Sequence, residues 1–131
     1  SVLTAASASG TIPATDTYYK EVKTVVDQRI GTQAKEAADY TKEAAGASTG
    51  KPAEDAGDIY WSLGDYAKAE EMYQLALTKG TNDRNRTLTR LGMAQAMQDG
   101  KGAAARETLA QVSGNRAPIA RMWSIYSETK G

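Results

Sequence analysis

Seven side chains of this sequence carry chemistry that could recognise another molecule. They are two carboxylates, two guanidinium groups, one indole and two thioethers: Glu54, Asp58, Arg86, Arg90, Trp61, Met93 and Met97. Tryptophan and methionine are adaptable residues that are frequent where proteins contact each other. Arg86 and Arg90 are four residues apart, so on a helix they share one face and could receive an acidic partner. These residue types suit binding, and none of them forms a reaction centre.

Each of these groups also has a structural explanation. The indole and the two thioethers could as readily pack between structural units as contact a partner. The two arginines are better explained by ion pairs with Glu54 and Asp58 of a neighbouring unit. Trp123 and Tyr126, farther along the chain, are expected in the core of a final helix rather than at an exposed site.

Catalysis has little support in this sequence, because the chain contains no histidine and no cysteine. Their absence excludes zinc sites of the Cys/His type, cysteine nucleophiles and every Ser-His-Asp arrangement within the chain. Adjacent carboxylates such as Glu70 and Glu71 diverge around a helix and cannot act together. The segment GASTGKP (46–52) has the wrong glycine spacing for a phosphate-binding loop, and Pro52 replaces its hydroxyl residue. We therefore expect no enzyme, no cofactor and no metal site.

Charge and hydropathy restrict the class of partner. Sixteen basic and sixteen acidic residues give a formal net charge of zero. This balance argues against binding nucleic acid by phosphate neutralisation and against a polybasic membrane-surface protein. No apolar run approaches the length of about 18 residues that a membrane span needs, so we expect no membrane insertion. A protein or a peptide remains as the expected partner.

The elements that must position these side chains are helices. Alanine occurs 23 times, which favours helix, and alternating β-branched residues are almost absent. Apolar residues recur at helical spacing in segments that glycine-containing turns separate. The seven predicted helices span about 15–30, 32–45, 52–63, 66–79, 83–98, 103–112 and 117–129. Gly31 is expected to end the first helix, and residues 1–14 are expected to form a flexible lead.

One part of the helical pattern is repeated. The segment GDYAKAEEMYQLAL (64–77) recurs in weaker form as GKGAAARETLAQV (100–112). Gly57 and Gly92 are 35 residues apart, and Ala69 and Ala105 are 36 residues apart. This interval is close to the period of about 34 residues of helix-turn-helix repeats. A single helix pair of this size cannot bury its apolar face, so we expect successive pairs to stack and share one core.

In these residues the chain resembles the tetratricopeptide repeat (TPR) family. The residues that match the packing positions of the family consensus in the best unit, 50–84, are Gly57, Tyr60, Ala69, Tyr73 and Ala76. A second unit covers about 85–117, a weaker one covers about 16–49, and the helix 117–129 would cap the stack. The resemblance implies an all-α solenoid of stacked antiparallel helix pairs, forming a single domain from residue 15 onward.

The resemblance also implies a function. In TPR proteins the first helix of each pair lines a concave surface that accepts an extended peptide or a helix. The seven side chains named above would lie on that surface, which implies a non-catalytic scaffold or adaptor. Glu54 and Asp58 stand where members that hold a C-terminal carboxylate have donor residues, so that clamp is not expected here. The alternative is a structural or self-associating C-terminal fragment of a longer helical-repeat protein.

A further resemblance concerns the end of the chain. The run GNRAPIARMWSIY (114–126) is similar to the C-terminal tails of small exported repeat proteins from proteobacteria. It implies a bacterial protein, and it favours an exported or periplasmic location over a cytoplasmic one.

Overall fold

A computed structural model describes residues 16–131, which form helices and turns with no strand. The α-helices are α1 (Thr17–Gly46), α2 (Lys51–Ser62), α3 (Tyr66–Lys79), α4 (Arg84–Ala96), α5 (Gly102–Leu109) and α6 (Ala117–Ser127), and short 3-10 turns span Gly114–Arg116 and Glu128–Lys130. The predicted all-α fold is confirmed, whereas the predicted flexible lead lies outside the described residues. No helix in this part of the chain is long and apolar enough to cross a membrane.

The prediction that Gly31 ends a helix is wrong, so the first two predicted helices are one. α1 continues through Gly31 to Gly46. Gly31 keeps a helical backbone, unlike Gly64 and Gly80, whose φ angles of 77° and 99° are favourable only for glycine. An isolated glycine inside a helix costs only about 1 kcal/mol relative to alanine. The good helix formers on both sides of Gly31 offset that cost.

The chain divides into two compact units, 1–33 and 34–131. The described part of the first unit consists of Asp16 and the N-terminal half of α1. Asp16 accepts a hydrogen bond from the backbone N–H of Tyr19 at 3.1 Å, which satisfies one of the free donors at the start of the helix. Tyr19 is buried, whereas Tyr18, Val25 and Ile30 are exposed.

In the second unit each helix from α2 onward packs on its successor. α2 packs on α3, α3 on α4 and α4 on α5, while α6 lies against both α4 and α5. The larger core contains Ala37, Ala56, Tyr60, Ala69, Met72, Tyr73, Leu91 and Ala94. A second core contains Leu88, Ala96, Ala105, Leu109, Val112 and Ala120. The high share of alanine in both cores lets the helices approach each other closely.

The two helix pairs use the same close contact. A β-carbon on Gly57 would lie 2.6 Å from Cε1 of Tyr73, and one on Gly92 would collide with the side chain of Leu109. In each pair a glycine of the first helix therefore admits a large side chain from the second. Gly57 therefore lies in the contact between α2 and α3, and the 35-residue interval between the glycines reflects a repeated packing contact.

A buried polar cluster joins α3, α4 and α5. The carboxylate of Glu70 accepts hydrogen bonds from Nε2 of Gln95 at 3.2 Å and from Nε2 of Gln98 at 3.1 Å. The side-chain oxygen of Gln95 accepts a hydrogen bond from the hydroxyl of Thr108 at 2.7 Å. Because buried polar groups are costly without partners, this cluster favours one register of the three helices.

We predict that Ala69→Leu destabilises the protein by about 1–3 kcal/mol, because Ala69 is fully buried and the added carbons would overpack the core. Ala67→Leu is the matched control, since Ala67 is exposed on the same helix and leucine and alanine have similar helix propensities. Urea unfolding followed by circular dichroism measures both variants. Equal midpoints for the two variants would show that Ala69 does not lie at a tight helix crossing.

Candidate functional site

Helices α2 and α4, together with the start of α6, line one groove of the second unit. Its volume is about 390 Å³, and its lining residues are Asp58, Trp61, Tyr73, Arg86, Thr89, Arg90, Met93, Arg116 and Ile119. The N-terminal end of α4, which carries Arg86, is capped by the side chain of Asp83. Asp83 accepts a hydrogen bond from the backbone N–H of Arg86 at 3.0 Å. This bond holds the pKa of the Asp83 carboxyl below its ordinary value.

Ion pairs between α2 and α4 form the floor of this groove. Arg86 donates to the carboxylate of Glu54 and, at 3.4 Å, to that of Asp58. Arg90 donates to Oδ1 of Asp58, whereas Arg86 donates to Oδ2 of the same carboxylate. The hydroxyl of Thr87 adds a hydrogen bond to Glu54 at 3.0 Å. The expectation that the two arginines pair with Glu54 and Asp58 is therefore confirmed.

Tyr73 reaches the same floor from α3. Its side chain is 1% exposed, and its hydroxyl donates a hydrogen bond to Oδ1 of Asp58 at 2.6 Å. Burial raises the pKa of Tyr73 well above its ordinary range, and the hydrogen bond to Asp58 adds to the effect. Burial alone would lower the pKa of Arg90, but its hydrogen bond to Asp58 and the charge of that carboxylate outweigh burial and raise it. Tyr73 is thus a neutral donor and Arg90 a cation at every physiological pH.

The apolar wall of the groove is built on aromatic contacts. The ring of Trp61 meets that of Tyr66 at a centroid distance of 5.0 Å and that of Trp123 at 6.1 Å, both edge to face. This geometry is favourable for aromatic pairs. The contacts hold the indole of Trp61 beside Met93 and Ile119, so one side of the groove is apolar while the floor is charged.

The arginines keep hydrogen-bonding capacity for a ligand. A guanidinium group has five N–H donors. Within the described residues, side-chain hydrogen bonds use two donors of Arg86 and one each of Arg90 and Arg116. The three side chains are 31%, 34% and 41% exposed, respectively. A carboxylate entering the groove would therefore find free donors that are already held in position.

The structure brings five of the seven sequence-predicted binding residues into this groove: Asp58, Trp61, Arg86, Arg90 and Met93. Glu54 is buried beneath it, where it can act only through Arg86 and Thr87. Met97 lies elsewhere and lines a second cavity of about 480 Å³. The seven side chains that were predicted to share one surface therefore lie in three places. Five line the groove, Glu54 is buried and holds Arg86, and Met97 lines the second cavity.

The second cavity corrects one expectation about α6. Its lining residues are Met97, Met122, Trp123 and Tyr126. Trp123 is half-buried against the second core, as expected, but Tyr126 is 40% exposed and the prediction that it belongs to a core is wrong. α6 packs through a different face, which carries Ala120 and Ser127, and no described helix covers Tyr126.

Four groove residues lie outside the seven predicted binding residues, namely Tyr73, Thr89, Arg116 and Ile119. Arg116 and Ile119 come from the turn before α6 and from its first turn, which the repeat pattern treats as a cap. Thr89 is buried on α4 between the two arginines. Its spacing from Arg86 and Arg90 indicates the same face of the helix, whereas Tyr73 was expected as a packing residue.

Comparisons of the chain with known protein families, with curated proteins and with solved structures find no match. The resemblance to TPR proteins therefore stays a prediction that depends on the repeat residues. Within residues 16–131 no three His, Cys, Asp or Glu side chains come together in a way that could hold a metal ion.

We predict that Tyr73→Phe lowers stability at neutral pH by about 1–3 kcal/mol, because it removes a buried hydrogen bond to a carboxylate. The raised pKa of Tyr73 predicts a second effect in alkali. Above the ordinary value of 10.0, the unfolded chain loses the Tyr73 proton while the folded chain keeps it. This contribution to stability is therefore full below pH 10 and falls above it, by about 1.4 kcal/mol per pH unit.

Urea unfolding at pH 8, 10 and 11 tests both effects. The stability difference between the wild type and Tyr73→Phe should shrink from pH 10 to pH 11, since the variant lacks the titrating group. Tyr18→Phe is the control, because Tyr18 is 66% exposed. A difference that stays constant with pH would contradict the raised pKa.

Proposed function

We propose that this protein is a non-catalytic interaction module that binds an extended peptide in the groove between α2, α4 and α6. The peptide would place a large apolar side chain against Trp61, Met93 and Ile119. An acidic group on the same peptide would meet the free guanidinium donors. This proposal agrees with the scaffold or adaptor role that the resemblance to TPR proteins implies, and with the exported bacterial setting that the run 114–126 implies.

The observation that carries the proposal is the meeting of two unlike surfaces in one groove. An apolar wall beside a row of guanidinium groups suits a ligand with both an apolar and an acidic group. Hydrogen bonds between a guanidinium group and a carboxylate are among the stronger ones in proteins, and the planar group fixes their direction. Contacts within the protein already order the arginines, so a ligand would lose little side-chain entropy.

The charge of the groove favours a short acidic ligand over a polyanion. The positive charges of Arg86 and Arg90 are offset by Glu54 and Asp58. The charge of Arg116 is likewise offset, since its Nη2 lies 3.4 Å from Oδ2 of Asp83. Nucleic acid would need uncompensated cations along an extended surface. Here a carboxylate can use free donors, while the nearby acidic residues disfavour a dense array of phosphates.

The size of the groove sets the scale of binding. Pockets for small ligands usually measure about 300–1,000 Å³, so 390 Å³ accommodates one or two side chains rather than a whole helix. A contact of this size suits a weak complex, with a Kd on the order of micromolar or above.

We predict that selection from a random peptide library on the immobilised protein yields sequences that combine an aromatic or large aliphatic residue with Asp or Glu. The selected peptides should lose at least about tenfold in affinity for Trp61→Ala and for Arg90→Ala, which is about 1.4 kcal/mol each. Fluorescence anisotropy of labelled peptides measures the affinities.

Matched controls separate the groove from the rest of the surface. Arg121→Ala removes an exposed arginine outside the groove, and Tyr18→Ala removes an exposed aromatic ring of the first unit. Both controls should bind the peptides as the wild type does. If the selected peptides bind Trp61→Ala and Arg90→Ala with unchanged affinity, the groove is not the binding site.

A further inference from the structure

Within residues 16–131, two apolar helix faces are exposed to water, and they differ in shape. The first is on the N-terminal half of α1, where Tyr18, Val25 and Ile30 expose between 45% and 66% of their surface. Half-buried Val22 and Val26 lie beside them. At 3.6 residues per turn, the five residues fall within about 140° of the helix circumference. We call this surface the α1 face.

The second surface is on α6. The exposed fractions of Ile119, Met122, Ile125 and Tyr126 lie between 40% and 68%. Ile119, Met122 and Tyr126 follow at intervals of three and four residues, so they form one stripe along the helix. We call these four residues the α6 face. It leaves on the order of 400 Å² of apolar surface in water, an amount that marks contact surfaces in soluble proteins.

We propose that the α6 face of one copy of this chain binds the α1 face of a second copy, in a head-to-tail contact. The shapes of the two faces are complementary. The α1 face is a ridge of β-branched side chains, whereas the α6 face borders the cavity of about 480 Å³ lined by Met97, Met122, Trp123 and Tyr126. A ridge can enter this cavity, and the flexible methionines can adapt to it.

Charge disfavours one alternative arrangement, the pairing of two α1 faces. Arg29 lies in the middle of the α1 face, so two α1 faces would bring two guanidinium groups into one apolar contact. The four side chains of the α6 face are uncharged. The formal net charge of zero removes the general repulsion that would keep copies apart.

The two faces are different surfaces, so a single contact between two copies leaves one α1 face and one α6 face free. Successive copies would form a ring or an open filament, depending on the rotation between them. One contact buries less than the roughly 800 Å² per partner of a standard interface, so association should be weak.

Two end-blocked variants test the proposal. Val25→Glu places a charge in the α1 face, and Met122→Glu places one in the α6 face; both sites are more than half exposed, at 59% and 68%. The average mass of the wild type should rise over a range of about 10 µM to 1 mM, as for weak interfaces. Each variant alone should stay monomeric. An equimolar mixture should form a dimer of twice the chain mass and nothing larger, because only one intact pair of faces remains.

Sedimentation equilibrium measures these masses, and circular dichroism checks that each variant is folded. Thr24→Glu is the control, since it adds the same charge next to Val25 on an exposed position outside the α1 face. It should associate as the wild type does. A wild type that is monomeric throughout, a mixture that stays monomeric, or a single variant that still associates would each overturn the head-to-tail contact.

The absence of cysteine allows a second test. Val25→Cys and Met122→Cys each introduce a single thiol, and diamide oxidises two thiols to a disulfide. In an equimolar mixture of the two variants, the mixed disulfide should greatly exceed both symmetric ones. A statistical distribution, with about half of the disulfide mixed, would overturn the proposal. Both tests are independent of the groove peptides, so they can fail while the proposed function holds.

Discussion

The carboxylate of Asp58 joins three helices, and the architecture of the second unit depends on it. It lies on α2 and receives hydrogen bonds from Tyr73 on α3 and from Arg86 and Arg90 on α4. Partly buried ion pairs contribute little net stability, because desolvation offsets most of their attraction. Loss of one partner is nevertheless costly, since the remaining charges are left uncompensated. Asp58 therefore acts mainly by favouring one arrangement of the three helices, and that arrangement also forms the floor of the groove.

Glycine and alanine supply the second constraint. Tyr73 can reach Asp58 because Gly57 leaves space for its ring against the backbone of α2. The same residue pattern in the next pair brings Leu109 against Gly92. Unlike Tyr73, Leu109 has no hydroxyl that could donate a hydrogen bond to a carboxylate. In this pair the polar contacts between helices come from the buried cluster around Glu70, which connects α4 with both α3 and α5. Small residues set the distance between helices, and buried polar groups set their register.

The sequence predicted the helices of the second unit well, because each has a local start or stop signal. α3 begins after Gly64 and Asp65 and ends at Gly80, as expected. Gly31 misled the prediction, because a glycine can stay helical where no left-handed turn follows it. The repeat pattern was informative about packing, because a glycine that admits a large side chain is a local requirement visible in residue types.

The groove was only partly predictable. Arg86, Arg90, Glu54 and Asp58 showed charge complementarity at helical spacing, so their ion pairs could be inferred. That Arg116 lines the groove could not be inferred from the sequence, because its position depends on the path of the turn before α6. Exposure of Tyr126 was equally hidden, since an aromatic residue at helical spacing looks the same whether or not a neighbouring helix covers it.

The aromatic wall has a spectroscopic consequence. The chain has two tryptophans, and both belong to that wall, with ring centroids 6.1 Å apart. Indole emission of the protein therefore originates entirely beside the groove, with no background from tryptophan elsewhere. At this separation the two rings can couple electronically, so their near-ultraviolet circular dichroism reports the angle between α2 and α6. Replacing either ring by phenylalanine would leave a single indole, which is at the groove if Trp61 remains and at the second cavity if Trp123 remains.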